Sequence, residues 1–530
     1  MLLWVRVSAS VTNAQYVGHT DERHMYGQAK QVIDVPLNPE FFRYPSLPIY
    51  LTAGAMSITM AINDTYEFEV PEGPGKPYEP AAPYHSARAL FGAIGGLVFF
   101  LSAWLVRAMT GRFTWAWLAP SFVGLSPLTQ RLLVRYHNVD TPTLFLALTT
   151  LVVVLWWWDS DSVWKKAVIP GVLCGLTTAC KYNSGLIVLP CAMAIALTPT
   201  TNDKRRMLVI LCASAALAFF VVVPYALLDY RHFVRDVWSE IEHYKTGHPG
   251  KDGPAGIPQL LYYLEALRDD AGEVLCGLSL VGIATSIRRW PRRAATVLVF
   301  PVVMLVHMST NRVHFLRTVL PLFAIVPIFA AIGVSGLVEF GRRGVARIRS
   351  PRIRQIGSIA AYGIMGISLA WGVSATTKTA VWADRNVTPE SRVQVTRWLT
   401  ENFREGTVLY VARDLWMSTD PLERFDLREL SSGLVAPHSI RGPALVLLPE
   451  FGPPRRVPPD IRDRPHEKRA YVDRARERGM RATARRDELI QNMSARQLRR
   501  VGERPVALVE ADDVLAQAVR DPVIGIYVVD

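Results

Sequence analysis

Asp21 and Glu22 stand side by side in HTDERHMYGQAKQVIDVPLNPEFFRYPSLPIYL, just ahead of a long series of apolar segments. An ionised side chain held near hydrocarbon costs about 2.5–3.5 kcal/mol at the centre of a span. An acidic pair at the mouth of a membrane bundle is therefore expected to line a wet cavity, where a carboxylate can take a proton from a hydroxyl. The plainer alternative is a solvated helix start, with His19-Thr20 before it and a helical stretch after it. Tyr44-Pro45-Ser46-Leu47-Pro48 then breaks the segment and leads into the apolar Ile49–Ala61, so the loop is built like a cap.

Four further clusters carry charge or imidazole. RLLVRYHNVDTP holds Arg131, Arg135, His137 and Asp140. It reads either as an ordinary loop near headgroups or as a second cavity wall, with Asp140 placed to orient an acceptor or hold a metal. Lys181-Tyr182 interrupts the apolar stretch Ala167–Leu197; such a lysine either snorkels or meets an anion. Asn311, Arg312, His314 and Arg317 lie at the start of a later span, where Arg317 needs a carboxylate or phosphate partner. EHYKTGHPG offers His243, Tyr244 and His248, but its spacing fixes no third metal ligand.

The elements that must position these residues follow from hydropathy. The chain has 530 residues, half of them hydrophobic, and splits into an apolar part, Ser86 to Trp382, and a polar, Arg-rich part, Ala383 to Asp530. Candidate spans are Ala87–Met109, Thr114–Leu132, Thr141–Trp158, Ala167–Cys180, Leu186–Leu197, Met207–Leu228, Ala271–Ile287, Ala294–Met308, Phe315–Val338 and Ile356–Val373. Only Met1 to Val17 precede the acidic pair, too little for a full first span; that span is short and irregular, or the gene begins earlier. With the Asp21 loop outside, alternation makes Arg107–Arg112, Asp159–Lys166, Asp203–Arg206, Arg288–Arg293 and Arg342–Arg354 cytoplasmic, in line with the positive-inside rule. The final span then delivers the polar part to the extracytoplasmic side.

In that polar part Ser391–Phe403 is amphipathic, and Thr407–Ala412, Ala444–Leu448, Val506–Val509 and Gly525–Val529 read as strands. The Arg- and Glu-rich tract Arg455–Arg504 reads as a solvated helical excursion. The net charge of +13 lies largely in short loops, and neither zinc-finger spacing nor an RNP-type or phosphate-loop motif is present, which argues against nucleic acid. The five cysteines lie in or beside apolar segments as small packing residues, with no disulfide framework.

The acidic pair with NPEFFRYPSLPIYL, then HNVDTPTLFL, GLTTACKYNSGL, YYLEALRDDAGEVLCGLSLVGI and RTVLPLFAIVPIFAAIG together resemble the GT-C superfamily of membrane glycosyltransferases. The likeness runs to about Val411 and is strongest to glycosyltransferase family 39, the dolichyl-phosphate-mannose-protein mannosyltransferase-like group. ESRVQVTRWLTENFREGTVLYV resembles the start of the extracytoplasmic domain of bacterial members. The resemblance implies an α-helical polytopic membrane bundle of GT-C type over residues 1–382, with a first extracytoplasmic loop at 17–86 and a small C-terminal α/β soluble domain over 383–530.

It further implies inverting transfer of a monosaccharide from a polyprenyl-phosphate donor to an acceptor hydroxyl of a glycan, lipid or protein. Asp21 would be the catalytic base and Glu22 secondary. Lys181, Arg317 and Arg312 would face the donor phosphate, and Asp140, His137, Tyr182, Tyr44, His243 and His248 would line the cavity or meet the acceptor. No cofactor is fixed, and ligand spacing does not support a divalent metal. A transporter using the same charges as a substrate pathway is the competing expectation, though a single interruption at Lys181 and no internal repeat speak against it. An inactive scaffold is a third.

Overall fold

The computed structural model describes chiefly residues 20–64 and 81–346, with short gaps, and beyond them mainly 395–412, 422–430, 444–450, 498–502 and 523–529. The expected segments Met1–Val17, Ile356–Val373 and Val506–Val509, and the side chains of Arg131 and Arg135, lie outside the described residues. The chain divides into two compact units: Met1–Ser10, Met25–Ser57 and Ala87–Asp384 form one, and Val11–His24, Ile58–Ser86 and Arg385–Asp530 form the other.

The first part of the chain is helical: α1 (Thr20–Asp34), α2 (Leu47–Asn63), α3 (Ala81–Thr110), α4 (Leu118–Val123), α5 (Pro127–Gln130), α6 (Asp140–Trp156), α7 (Ile169–Thr178) and α8 (Val188–Leu197). There follow α9 (Lys204–Val222), α10 (Tyr225–Leu228), α11 (Tyr230–Thr246), α12 (Ile257–Ala271), α13 (Glu273–Arg289), α14 (Pro291–Ser309) and α15 (Leu320–Ala346). Among the described residues, four helices are long and apolar enough to cross a membrane: α3, α9, α14, and α15 with its preceding 3-10 turn. The pair α12 and α13 passes as a broken span bent by 108°. The bend falls at Gly272, whose φ of 78° suits a residue without a Cβ.

Most expected segments reappear as helices with shifted ends, several of them too short to cross a membrane, but Thr114–Leu132 is not one helix. It breaks into α4 and α5 around Gly124–Ser126, where Pro120 and Pro127 lack backbone donors and the Ser126 hydroxyl accepts the N–H of Thr129 at 3.0 Å. The stretch Ala167–Leu197 is interrupted as expected: α7 ends at Thr178, Lys181 is extended, and a 3-10 turn (Tyr182–Ile187) leads into α8. A short π-helical turn (Trp164–Val168) precedes α7.

Side-chain contacts gather several connections into separate groups. At one end Glu339 of α15 meets Arg112 after α3 and Arg289 of α13, while Arg293 lies 3.6 Å from Asp159. Lys166 there donates to the carbonyl of Trp158 and, at 2.9 Å, to the hydroxyl of Thr198. At the other end lie the Asp140–Lys181 pair and, joined through the backbone of Phe42, Tyr182 and Asp236. Between them, α13 and α15 pack backbone to backbone. A Cβ on Gly282 would stand 1.9 Å from the carbonyl oxygen of Phe329, and one on Gly333 would stand 2.0 Å from that of Leu278. Small residues permit this approach where lipid supplies no hydrophobic drive between helices.

The C-terminal unit holds a five-stranded sheet of β1 (Val408–Ala412), β2 (Asp426–Leu430), β3 (Ala444–Glu450), β4 (Leu498–Gly502) and β5 (Val523–Val529), in the order β2-β1-β3-β5-β4. β1 pairs parallel with β2 and β3, whereas β5 is antiparallel to β3 and β4. Parallel neighbours need crossover connections, which places the unit in the α/β class. Two strands depart from expectation. β2 has no counterpart among the expected strands, and β4 replaces helix at the end of the Arg- and Glu-rich tract, because its apolar partner β5 supplies pairing that a charge-rich window does not signal.

Gly333→Ala should lower the thermal unfolding midpoint in detergent, with a cost of about 1–3 kcal/mol for forcing a methyl group into a packed interface. Gly277→Ala, on the same helix pair but facing open space, should be neutral or slightly stabilising. Equal midpoints for the two variants would contradict the close helix approach.

Candidate active site

Asp140 opens α6, and its placement begins with Asn138. The Asn138 side-chain oxygen accepts the backbone N–H groups of Asp140 at 2.9 Å and Thr141 at 3.0 Å, while its amide donates to the Leu132 carbonyl at 2.8 Å. Asn138 thus satisfies the first donors of the helix from outside it, and the helix N-terminus favours the Asp140 carboxylate. That carboxylate is 3% exposed and receives the ammonium of Lys181, itself 13% exposed, at 2.5 Å. The break between α7 and α8 exists where the lysine must turn inward to this partner.

Beside Lys181, Tyr182 ties down the first loop. Its hydroxyl donates to the carbonyl of Phe42 at 2.8 Å, and the N–H of Phe42 donates to Asp236 Oδ2 on α11 at 2.9 Å. Leu47 N–H reaches the carbonyl of Ala179 at 3.1 Å, so α2 starts against the end of α7. Within the loop, Leu37 and Glu40 adopt φ of 67° and 50°, unusual for residues with a Cβ, and the Tyr50 hydroxyl holds the Leu37 carbonyl at 2.9 Å.

A second set of segments joins through Tyr244 near the end of α11. Its carbonyl accepts the N–H of Arg312 at 3.0 Å, and the carbonyl of Arg312 accepts Gly253 N–H at 2.9 Å. The half-buried Tyr244 phenol is held well above its ordinary pKa, first by desolvation, and lies within electrostatic reach of Arg317, Glu240, Tyr44 and Asp140. Arg317 sits over the ring of Phe315, 4.8 Å from its centroid. One phenol is thus within electrostatic reach of both the Arg317 cation and the Asp140 carboxylate.

The remaining expected residues fall as follows. Tyr44 makes an edge contact with Phe41, 5.8 Å between centroids. Arg312 is half-exposed and lies 3.5 Å from Asp252, which gives it a protein partner. His243 and His248 face each other, ring centroids 5.2 Å apart, and His248 also meets Phe315. Among the described residues, no three or more His, Cys, Asp or Glu side chains come together as metal ligands. Asp21 and Glu22 occupy the first turn of α1, with Glu22 fully buried.

His137 is a pin in the loop before α6. It is 1% exposed, stacked on Tyr26 at 4.8 Å between centroids and packed on Phe91 at 4.1 Å. The Thr52 hydroxyl donates to the Pro48 carbonyl at 2.7 Å, so its oxygen must accept from His137 Nε2, 2.9 Å away, which assigns the proton to Nε2. Burial first, and the charge of Arg88 second, push the imidazole pKa down to about 3.

Sequence reasoning did not single out Asn138, Asp236 or Glu240. For Asn138 a signal was present: an Asn ahead of an apolar run is a helix-start residue. For Asp236 none was, because its partner is far away in the chain.

Residues 80–310 match the profile of glycosyltransferase family 87. The chain is a membrane glycosyltransferase. The matched stretch runs from α3 to the end of α14 and includes His137, Asp140, Lys181 and Tyr244, whereas Asp21 and Arg317 lie outside it. The matching profile is that of family 87, and the expected likeness to family 39 is only approximate. No curated protein matches the chain. Among solved structures, this glycosyltransferase is similar to ArnT from Cupriavidus metallidurans bound to undecaprenyl phosphate, at 14% identity over 84% of this chain and 91% of that one, with a TM-score of 0.49. It is also similar to the Archaeoglobus fulgidus oligosaccharyltransferase in the apo form, at 13% identity over 78% and 62%, with a TM-score of 0.45.

Two outcomes test this geometry. Lys181→Met should destabilise the protein by about 3–5 kcal/mol by stranding the buried Asp140 carboxylate. Adding Asp140→Asn should return part of that loss, as a double-mutant cycle of unfolding midpoints would show; strict additivity would deny the pair. For His137, the folded pKa lies below the unfolded value, so the unfolded chain binds the extra proton as pH falls. Its contribution is present above about pH 6.5 and is lost progressively towards pH 3. His137→Gln should flatten the fall in unfolding midpoint between pH 7 and pH 4; an unchanged slope would place that sensitivity elsewhere.

Proposed function

We propose that this glycosyltransferase moves a monosaccharide from a polyprenyl-phosphate donor to an acceptor hydroxyl on the extracytoplasmic side, with inversion at the anomeric carbon. The observation that supports the reading is the polar end of the bundle, where Lys181 meets the buried Asp140 carboxylate and Tyr244 lies within electrostatic reach of both Asp140 and Arg317, in a chain with a glycosyltransferase profile match. Donor phosphate chemistry calls for cations held in place before the reaction, because fixed charges stabilise the departing group without reorganising.

The acceptor oxygen attacks the anomeric carbon as the bond from that carbon to the phosphate oxygen breaks. The electron pair of the broken bond leaves with the polyprenyl phosphate, whose added charge Lys181 and Arg317 stabilise. The acceptor proton passes to a carboxylate, which we assign to Asp21, with Glu22 in a secondary role. Arg312, already beside Asp252, is assigned a supporting position at the same end of the bundle. Tyr44, Tyr182, His243, His248 and Asp140 shape the surroundings, whereas His137 fixes the loop that presents Asp140. A single displacement leaves no sugar on the enzyme, which accounts for inversion. The basic turns Arg107–Arg112 and Arg288–Arg293 support the orientation, since they share the end opposite to Asp140. The domain beyond residue 382 is then extracytoplasmic.

Transfer is measured with membranes or purified protein and a set of polyprenyl-phosphate monosaccharides. Asp21→Asn should abolish transfer with expression and unfolding midpoint retained, and Glu22→Gln should be milder; ordinary turnover by Asp21→Asn would remove that residue from the mechanism. Arg317→Ala should raise the KM for donor more than that for acceptor. Equal effects on both would break the link between Arg317 and the phosphate. A purified protein that moves solute across liposomes and consumes no lipid-linked sugar would overturn the whole reading.

A further inference from the structure

The end of the bundle opposite to Asp140 contains a cavity of about 440 Å³ that the transfer reaction does not use. Arg112, Arg288, Arg289 and Arg343 line it together with Glu339, and Trp115 and Trp290 complete the wall. Glu339, 19% exposed, is shared by Arg112, Arg289 and Arg343, the last at 3.8 Å. The cavity wall therefore holds one carboxylate, paired with three guanidinium groups, and a fourth guanidinium, that of Arg288. No carboxylate among the described residues pairs with Arg288. The cavity retains a strong positive excess in a space large enough for a small anionic group.

Its position says where that group would come from. Glu339 and Arg317 lie on one continuous helical segment, Leu316–Gly341. At about 1.5 Å per residue they stand roughly 33 Å apart, the thickness of a bilayer core. The cavity thus opens at the headgroup level of the leaflet opposite to the sugar-transfer end. Tryptophans favour that depth, and guanidinium groups match phosphate oxygens in pairs.

We propose that this cavity binds a phosphate-bearing anion at the membrane surface, with the headgroup of an anionic phospholipid as its source. Arg288 is the cation most available to it. Arg112 and Arg289 share their hydrogen bonds between Glu339 and the phosphate, so an occupant would also tie the ends of α3, α13 and α15 together.

The test uses the full chain, purified in detergent and stripped of lipid, with binding followed by native mass spectrometry. Phosphatidylglycerol, phosphatidylcholine and inorganic phosphate are titrated separately. The wild type should retain phosphatidylglycerol well above phosphatidylcholine. Arg288→Gln, which breaks no ion pair among the described residues, should weaken that retention about fivefold, and Arg112→Gln with it by a similar further factor. Arg288→Lys should keep most of the binding, and the unfolding midpoint of each variant checks that the bundle is intact. Arginine-dependent binding of inorganic phosphate without a preference for phosphatidylglycerol would keep the anion site but overturn the lipid as its source. Equal retention of both lipids and no phosphate binding, or full retention by the double variant, would overturn the proposal.

Discussion

The contact between Lys181 and Asp140 constrains everything at the polar end of the bundle. Neither charge is tolerable alone at that depth, and breaking a buried pair costs more than either charge gains from water nearby. The pair therefore fixes two backbone features together. α6 must start at residue 140, with Asn138 serving its first amides, and the α7–α8 segment must stop being helical at Lys181. The next residue, Tyr182, is carried by the same break to the carbonyl of Phe42. The first loop is thus registered against the bundle by a hydrogen bond that exists only because the lysine turned inward.

The opposite end obeys the same rule with a different solution. There the charges sit at headgroup depth, where long arginine side chains can reach water, so one glutamate can be shared among several cations without a full set of partners. What transmits position between the two ends is backbone packing. Gly282 and Gly333 let α13 and α15 touch, and α15 with its leading 3-10 turn carries Arg317 at one end and Glu339 at the other. A shift in that contact would move both charged groups at once.

The features legible in the sequence were those with a local physical signature. A lysine between two apolar runs announced the break at 181, and runs of apolar and β-branched residues announced β3 and β5. Thr114–Leu132 misled because hydropathy registers the apolar content but not the loss of helix at Pro120, Gly124 and Pro127. The partner of Lys181 was missed, although Asp140 stood out on its own, because 41 residues separate them. Asp252 with Arg312 and Asp236 with Phe42 are likewise pairings across several intervening helices, and no spacing rule reaches them. β4 was hidden by composition: its arginines suited a solvated helix, and only pairing with β5 makes the segment a strand.

The Lys181–Asp140 pair also bears on how a donor phosphate would be met. A lysine already neutralised by a carboxylate presents less net charge to an incoming anion than a solitary one. Its value is position: it is held rigidly, so its remaining ammonium protons point in fixed directions and need no reordering when charge develops on the leaving group. Arg317, seated over the neutral ring of Phe315, offers charge of a different kind, broad and planar and suited to two phosphate oxygens. Tyr244 is within electrostatic reach of Arg317 and of Asp140, and desolvation keeps its phenol protonated. It can donate to an oxyanion that the cations alone would bracket from either side. Each residue thus contributes something the other two lack. In the proposed transfer the lysine would orient, the arginine would compensate charge, and the tyrosine would supply a donor that adds no net charge to the site.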